Sequence, residues 1–381
     1  MIGSRSSPRR LVNVALLTVA VGGALSLLMV AVSGPHYQQQ KQQQQGHHPR
    51  LPRHTHQQNH QHQNPFASSS SPQHRQPNQQ ENEILSNEES TSNRENSIRD
   101  RIPGWPYSLR INEPAMCEGQ DVYLLNAVTS NPTGVYHRDM IRKMWGSDAI
   151  ARRLKMRTVF IMGAVLSPVT QKHLQDESDR YHDIVQFDFL ETRKNLTIKS
   201  LAAIHWYRAF CTNATWMLKC DVDAYINFFA LLDILRPVNN TKDAVCARSM
   251  TRSVCREATQ HGCLSHYVVD PKEYAPHTYP PYCQGYAYVL HGRLADRMLE
   301  EDSKRVGPPL WLEDVYVTGL LPKDLNARWL DVRRKSQVVP VSIRTEFHNG
   351  SMLFVHDLEG QIGQGATSYV WSQTLNHYNI T

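Results

Sequence analysis

Asp221 and Asp223 are the residues whose type and spacing point most directly to chemistry. They close the apolar run Trp216-Met217-Leu218-Lys219-Cys220. In an extended strand alternate side chains share a face, so the two carboxylates project the same way. Two carboxylates that close repel each other unless a cation lies between them. Oxygen ligands of this kind suit Mg²⁺ or Mn²⁺, and those ions in turn suit a diphosphate. The pattern reads as a metal and nucleotide-sugar site. It also reads as a turn after a strand, where aspartate is common, and Asp-x-Asp alone does not separate the two. A second acidic pair, Glu313-Asp314, stands between Trp311-Leu312 and Val315. Carboxyls in apolar company hold protons more tightly, as a general base near neutral pH requires, though helix N-termini also attract acids. The apolar run Met352–Val355 ends at His356, which serves as a ligand or as a structural imidazole. Tyr279-Pro280-Pro281-Tyr282-Cys283-Gln284-Gly285 offers aromatic faces for a sugar ring and a glycine where a ligand meets backbone, or else an aromatic corner of the core.

The elements that must position these residues alternate. Apolar runs at Val122–Val128, Thr158–Val165, Ile184–Phe189 and Trp216–Lys219 predict buried strands. Helical spacing covers Arg138–Trp145, Val169–Tyr181 and Leu196–Cys211, and puts Arg138 and Arg142 on one helix face. Strands alternating with helices predict an α/β domain with a mainly parallel, Rossmann-like sheet and helices on both faces. Ligands of such sheets sit beyond the carboxyl ends of the strands, where Asp221 and Asp223 fall, and this placement favours the metal site over the bare turn. Cys246–Tyr282 predicts a long disulfide-tied loop region, Leu294–Glu301 a short helix, and Val315–Leu321 a helix behind the second acidic pair.

The N-terminus predicts a compartment. Arg5, Arg9 and Arg10 precede Leu11–Val32, an apolar stretch whose only polar side chains are Asn13, Thr18 and Ser26. A helix of that length spans a hydrocarbon core, and the basic flank stays cytosolic. Residues 1–10 are then a cytosolic tail, 11–32 a signal-anchor, 33–115 a low-complexity stem and 116–381 a lumenal domain, in type II orientation. The alternative is a cleaved signal with its cut near Gly34-Pro35. From Tyr37 to about Asn96, Gln, His, Asn and Ser dominate, so this segment buries too little surface to offset its ordering entropy. His47–His62 within it is a metal-binding tract or a solvated one. All seven cysteines lie from Cys117 onward. Most should pair in an oxidising lumen, and the odd one is free or pairs between chains, which leaves a homodimer open. Asn195, Asn213, Asn239, Asn349 and Asn379 head glycosylation sequons, whereas Pro132 blocks Asn131. A net charge of +6 without a clustered basic face gives no case for nucleic acid as a partner.

The ordered set of motifs resembles glycosyltransferase family 31, the β-1,3-galactosyltransferase and β-1,3-N-acetylglucosaminyltransferase group, from about Tyr123 to Trp371. Arg138-Asp139-Met140-Ile141-Arg142-Lys143-Met144-Trp145-Gly146 is similar to the family's Arg-x-x-Ile-Arg-x-Thr-Trp-Gly, with Met144 in place of threonine. Val159-Phe160-Ile161-Met162-Gly163, Asp183–Phe189 and Asn195-Leu196-Thr197-Ile198-Lys199 follow in the family's order, as do Tyr279–Gly285, Glu313-Asp314-Val315 and Phe354-Val355-His356. Val222 stands where the family usually has the middle aspartate of three, and Glu313-Asp314-Val315-Tyr316-Val317-Thr318-Gly319 is one residue longer than the common form, which would shift the start of the following helix. The resemblance implies a GT-A fold in a type II Golgi membrane protein. It implies Mn²⁺-dependent (or Mg²⁺-dependent) inverting transfer from a UDP-sugar, with galactose as the leading choice, to a glycan on protein or lipid in β-1,3 linkage. It implies Asp223, His356 and Asp221 at the metal, and Asp221 also near the donor ribose. Asp314 would be the general base and Glu313 its neighbour. Arg138, Arg142 and Lys199 would contact the donor, and Tyr282, Gly285, Trp311 and Glu313 the acceptor.

Three rivals stay open. One transfers N-acetylglucosamine or N-acetylgalactosamine instead of galactose. The second is an inactive lectin-like relative, which the presence of both Asp223 and Asp314 disfavours. The third is a hydrolase with paired carboxylates, which needs no Asp-x-Asp at a strand end.

Overall fold

The computed structural model of the protein describes residues 101–249, 252–258, 263–337, 350 and 352–380. The expected tail, the membrane anchor, the stem as far as residue 100 and Asn349 lie outside the described residues. Among the described residues no helix is long and apolar enough to cross a membrane.

The strands are β1 (Leu109–Ile111), β2 (Leu124–Thr129), β3 (Met156–Ala164), β4 (Ile184–Leu190), β5 (Trp216–Asp221), β6 (Ala224–Ile226), β7 (Ala244–Ser249), β8 (Arg252–Ser253), β9 (Thr278–Tyr279), β10 (Tyr282–His291), β11 (Trp329–Asp331), β12 (Ser336–Gln337) and β13 (Phe354–His356). The main sheet has the order β1-β4-β3-β2-β5-β10-β7-β11, and a small sheet has the order β12-β13-β6. Strands β2 to β5 are mutually parallel. β10 runs against both β5 and β7, so the sheet is mixed rather than mainly parallel on that side. A strand buried on both faces reads the same in either direction, so composition carried no sign of this reversal.

Both faces of the sheet are covered, which is why its strands are continuous apolar runs. Along β2, Leu124 and Val128 enter one core and Leu125 and Ala127 the other; β5 divides Trp216, Leu218 and Cys220 from Met217 in the same way. The helices Val135–Lys143, Pro168–Tyr181 and Phe228–Val238 contribute to the first core. The helices Leu196–Phe210 and Gly292–Ser303 contribute to the second.

The folded unit begins earlier than residue 116. β1 pairs antiparallel with β4, its Leu109 and Ile111 are buried, and Trp105 packs on His205 in a tilted ring pair with centroids 4.2 Å apart. The lower end of the expected stem is therefore the edge of the main sheet. Phe228–Val238 is a helix not named among the expected elements, although Phe228, Leu231, Leu232 and Leu235 are buried at helical spacing with Asp233 and Arg236 exposed on the other side. Buried Asn227 caps it, its side chain accepting from the Ala230 amide at 3.1 Å.

Cys117 pairs with Cys211, Cys246 with Cys283 and Cys255 with Cys263. The odd thiol, Cys220, is buried in the sheet, so it cannot bridge two chains and a dimer linked through it is ruled out. The one-residue extension after Glu313 does not move the helix start. Glu313–Val315 is helical and runs into a π turn at Tyr316–Leu320, where the Leu321 amide donates to Tyr316 O at 2.9 Å. An extra helical residue is commonly absorbed as such a wider turn.

Candidate active site

β2 and β5 are neighbours, and the chain leaves them in opposite directions across the sheet. That reversal opens a crevice beyond their carboxyl ends, where α/β sheets take their ligands. Thr129 ends β2 and Asp221 ends β5, and the Thr129 hydroxyl donates to Asp221 Oδ1 at 2.8 Å. The crevice is a cavity of about 500 Å³ that reaches Asp221, Asp223, Lys199, Trp311, Glu313, Asp314 and His356.

Asp221 stays on the strand, whereas Val222 and Asp223 form the turn into β6. The turn reading of Asp-x-Asp therefore holds, and Asp223 leaves the strand face on which both acids were expected. β6 pairs with β13 in a register that places His356 opposite Ala224, and the Asp357 amide donates to Asp223 O at 3.0 Å. One ligand atom from each of Asp221, Asp223 and His356 lies within 4.8 Å of the others. His356 Nε2 stands 3.7 Å from Asp223 Oδ1, and that oxygen is buried with no hydrogen-bond partner. Two carboxylates, an imidazole and an orphaned oxygen fit a divalent cation. Burial alone would raise the Asp221 carboxyl, but the Lys219 ammonium, the Thr129 hydroxyl and His356 outweigh it and hold the group below its ordinary value. Asp223 is held above its ordinary value by burial and by the charge of Asp221.

Lys219 joins the two acidic motifs. Its buried ammonium donates to Asp221 Oδ1 at 2.8 Å and to Gly285 O at 2.7 Å, and stands 3.6 Å from Glu313 Oε2. Glu313 also accepts from the Tyr288 hydroxyl at 2.6 Å, so it is held on both oxygens. Asp314 makes no ion pair among the described residues. Its Oδ1 accepts only from the Val315 amide, at 2.9 Å. Burial first, and the Glu313 charge second, push its carboxyl up to about 7. The Thr318 hydroxyl donates to Asp314 O and accepts from the Cys283 amide at 2.8 Å, so the π turn is tied to β10. Gly285 lines both cavities and also has a packing role. A Cβ there would sit 3.1 Å from Glu313 Oε2 and 3.2 Å from Asp314 Cβ, so the glycine lets the acidic pair approach the backbone.

Asp314 is shared with a second cavity of about 340 Å³. Tyr279, Tyr282, Gln284 and Arg252 line it, and Tyr267, Gly285, Leu312 and Asp314 belong to both cavities. The carboxyl with the raised pKa thus stands where a cavity bearing the metal-type cluster meets a cavity lined by tyrosines.

The other expected site residues divide. Trp311 lines the first cavity, donating to Glu273 at 3.2 Å with Lys194 Nζ 3.9 Å from its ring centre. Lys199 lines it too, but its buried ammonium is held by the Glu191 carboxylate and by Ser130 O at 3.0 Å. Arg138 and Arg142 do not line it. Fully buried Arg138 binds Glu177 at 2.6 Å and donates to Asn131 O and Pro132 O. Arg142 binds Glu177 and Asp183, both at 2.7 Å. Arg138 thus braces the loop after β2, and Arg142 ties its helix to Glu177 and Asp183. Arg193 and Arg252 line the two cavities and were not singled out by sequence, because lone arginines in loops carry no local signal.

Of the sequon asparagines, Asn195 donates its amide to Leu190 O, Asn213 donates to Cys117 O and Gln120 O, and the Asn239 Oδ1 is buried without a partner. Asn379 is exposed, in left-handed backbone near the chain end.

The family profile described as galactosyltransferase matches residues 136–333, just over half of the chain. Human beta-1,3-galactosyltransferase 5 is 32% identical over 229 residues, covering 60% of this chain and 71% of that protein. Human beta-1,3-galactosyltransferase 9 is 31% identical over 219 residues, covering 56% of this chain and 58% of that protein. Human beta-1,3-galactosyltransferase 2 is 29% identical over 245 residues, covering 62% and 56% respectively.

Proposed function

This chain belongs to the galactosyltransferase family, and on that premise we propose that it transfers galactose from UDP-galactose to a glycan hydroxyl in β-1,3 linkage, with inversion, on a GT-A type fold. The observation that carries the reading is the position of Asp314. Its half-buried carboxyl, with a pKa near neutrality, borders both the cavity that holds Asp221, Asp223 and His356 and the cavity lined by tyrosines.

Mn²⁺ or Mg²⁺ bound by Asp223, His356 and Asp221 would neutralise charge on the departing nucleotide. The remaining work falls to side chains. Asp314 takes the proton from the acceptor hydroxyl as that oxygen approaches the anomeric carbon from the face opposite the leaving group. A single displacement of this kind inverts the anomeric centre. Lys219 keeps Asp221 ionised and stands beside the Glu313 carboxylate, while Asp314, pushed up to about 7, is able to gain and lose a proton near neutrality. Tyr279 and Tyr282 offer ring faces to the acceptor sugar. Three disulfides and an apolar N-terminal stretch support a lumenal, type II enzyme of the Golgi membrane.

The test offers the purified protein UDP-galactose, UDP-N-acetylglucosamine and UDP-N-acetylgalactosamine with a panel of glycan acceptors and Mn²⁺, followed by linkage analysis. A β-1,3-galactosylated product is expected. Asp314→Asn should lower transfer at least about a hundredfold while UDP affinity in the presence of Mn²⁺ stays unchanged. Transfer by Asp314→Asn at the original rate would remove Asp314 from its role.

A further inference from the structure

The two cavities balance charge differently. In the first, Lys199 is matched by Glu191 and Lys219 by Asp221 and Glu313. Arg193 also lines that cavity, its guanidinium 5.1 Å from the centre of the Tyr267 ring, where the diphosphate of a nucleotide-sugar would meet it. The tyrosine-lined cavity has no such explanation for Arg252. Apart from Asp314 and Arg252 its lining residues are neutral; the Arg252 backbone pairs with Tyr279, but its exposed side chain makes no ion pair or hydrogen bond among the described residues. Other arginines nearby are used structurally: Arg256 donates to the carbonyls of Val269, Tyr274 and Pro276. A free guanidinium in a cavity of tyrosines and amides presents a planar fork of donors that matches a carboxylate or a sulfate, and that matches neutral sugar hydroxyls poorly.

We propose that the acceptor is an anionic glycan, whose carboxylate or sulfate group is taken by Arg252 while tyrosine rings hold the neutral part. The proposal rests on the reading that the Asp314 side of the second cavity receives the acceptor.

The test uses the full chain with UDP-galactose, Mn²⁺ and three acceptors that share one terminal sugar. One is neutral, one has glucuronic acid as the next sugar, and one carries a sulfate ester. The readout is the ratio of kcat/KM for each charged acceptor to that of the neutral one. A ratio of about ten or more for a charged acceptor is expected, as one charge-assisted bidentate contact would give. The difference should reside in KM and shrink in 0.5 M salt, because the contact lies at an exposed rim. Which of the two acceptors shows it distinguishes carboxylate from sulfate. Arg252→Gln should bring the ratio close to one, and Arg252→Lys should recover part of it. Calorimetry of the charged acceptor with UDP and Mn²⁺ present reads the same contact without turnover. Equal efficiency for all three acceptors in the wild type, or a preference that survives Arg252→Gln, would overturn the proposal while leaving galactosyl transfer itself intact. Absence of transfer to every acceptor would instead overturn the reading beneath it.

Discussion

The pH dependence of transfer is the most direct consequence of where Asp314 sits. Its carboxyl is pushed up to about 7 by burial and by the neighbouring Glu313 charge, from an ordinary value of 3.8. A base works only when ionised, so kcat/KM for acceptor should follow the ionised fraction in the enzyme before the acceptor binds. With a midpoint near 7, that fraction is about 0.9 at pH 8, about 0.1 at pH 6 and about 0.01 at pH 5. The rate should therefore fall about tenfold from pH 8 to pH 6, and about tenfold again to pH 5. A carboxyl at its ordinary value would leave the profile flat over the same range. Glu313→Gln supplies the second half of the experiment. Removing a negative neighbour favours the ionised form of Asp314, so the acidic limb should move to lower pH. The assay is kcat/KM for acceptor between pH 5 and 9, at saturating UDP-galactose and Mn²⁺, with thermal melts at each pH to show that the fold persists. A flat profile from pH 5.5 to 8, or a limb that Glu313→Gln leaves in place, would refute the reasoning.

Other consequences follow from the same geometry. Asp223→Ala should abolish the Mn²⁺-dependent part of UDP binding, and calorimetry giving the same UDP affinity with and without Mn²⁺ in the variant is the expected result. Gly285→Ala should lower kcat about tenfold or more, because the added methyl presses on the Glu313 and Asp314 side chains; steady-state kinetics beside a melting curve shows whether the loss is catalytic. Asp243 is buried and accepts from Arg293 Nε at 2.7 Å and from Arg328 N, Nε and Nη2 at 2.9 to 3.0 Å. Asp243→Asn should lower stability in a denaturant titration, and only modestly, because both arginine partners reach solvent. Bonds from Arg328 hold the folded Asp243 carboxyl below its ordinary value, so its contribution is complete above about pH 4 and is lost as pH falls further. The stability gap between wild type and Asp243→Asn should therefore narrow in acid.

Much of the site was legible in the chain because its parts are local. The apolar strand that delivers Asp221, the adjoining turn that carries Asp223, and the acids beside Trp311 and Val315 are each set by a few consecutive residues. Period and composition report such segments. The parallel half of the sheet followed from alternation alone. What stayed hidden depends on partners far apart in sequence. Arg138 and Arg142 looked like ligand-binding cations because nothing near them is acidic on the same helix face except Asp139; only folding brings Glu177 and Asp183 to them.

From the sequence alone came the acids, their order along the chain, the α/β character and the apolar N-terminal stretch. Which cysteines pair was decided by the fold, since the pairs are separated by 94, 37 and 8 residues. The fold also decided that β10 runs antiparallel and presents Gly285 to the acidic pair, that Lys219 bridges Asp221 to Glu313, and that Asp314 borders two cavities at once. The physical reason is that charge pairing and burial act through space. A carboxyl reaches a pKa near 7 only when desolvation and a neighbouring charge converge on it, and that convergence is a property of packing rather than of any stretch of chain.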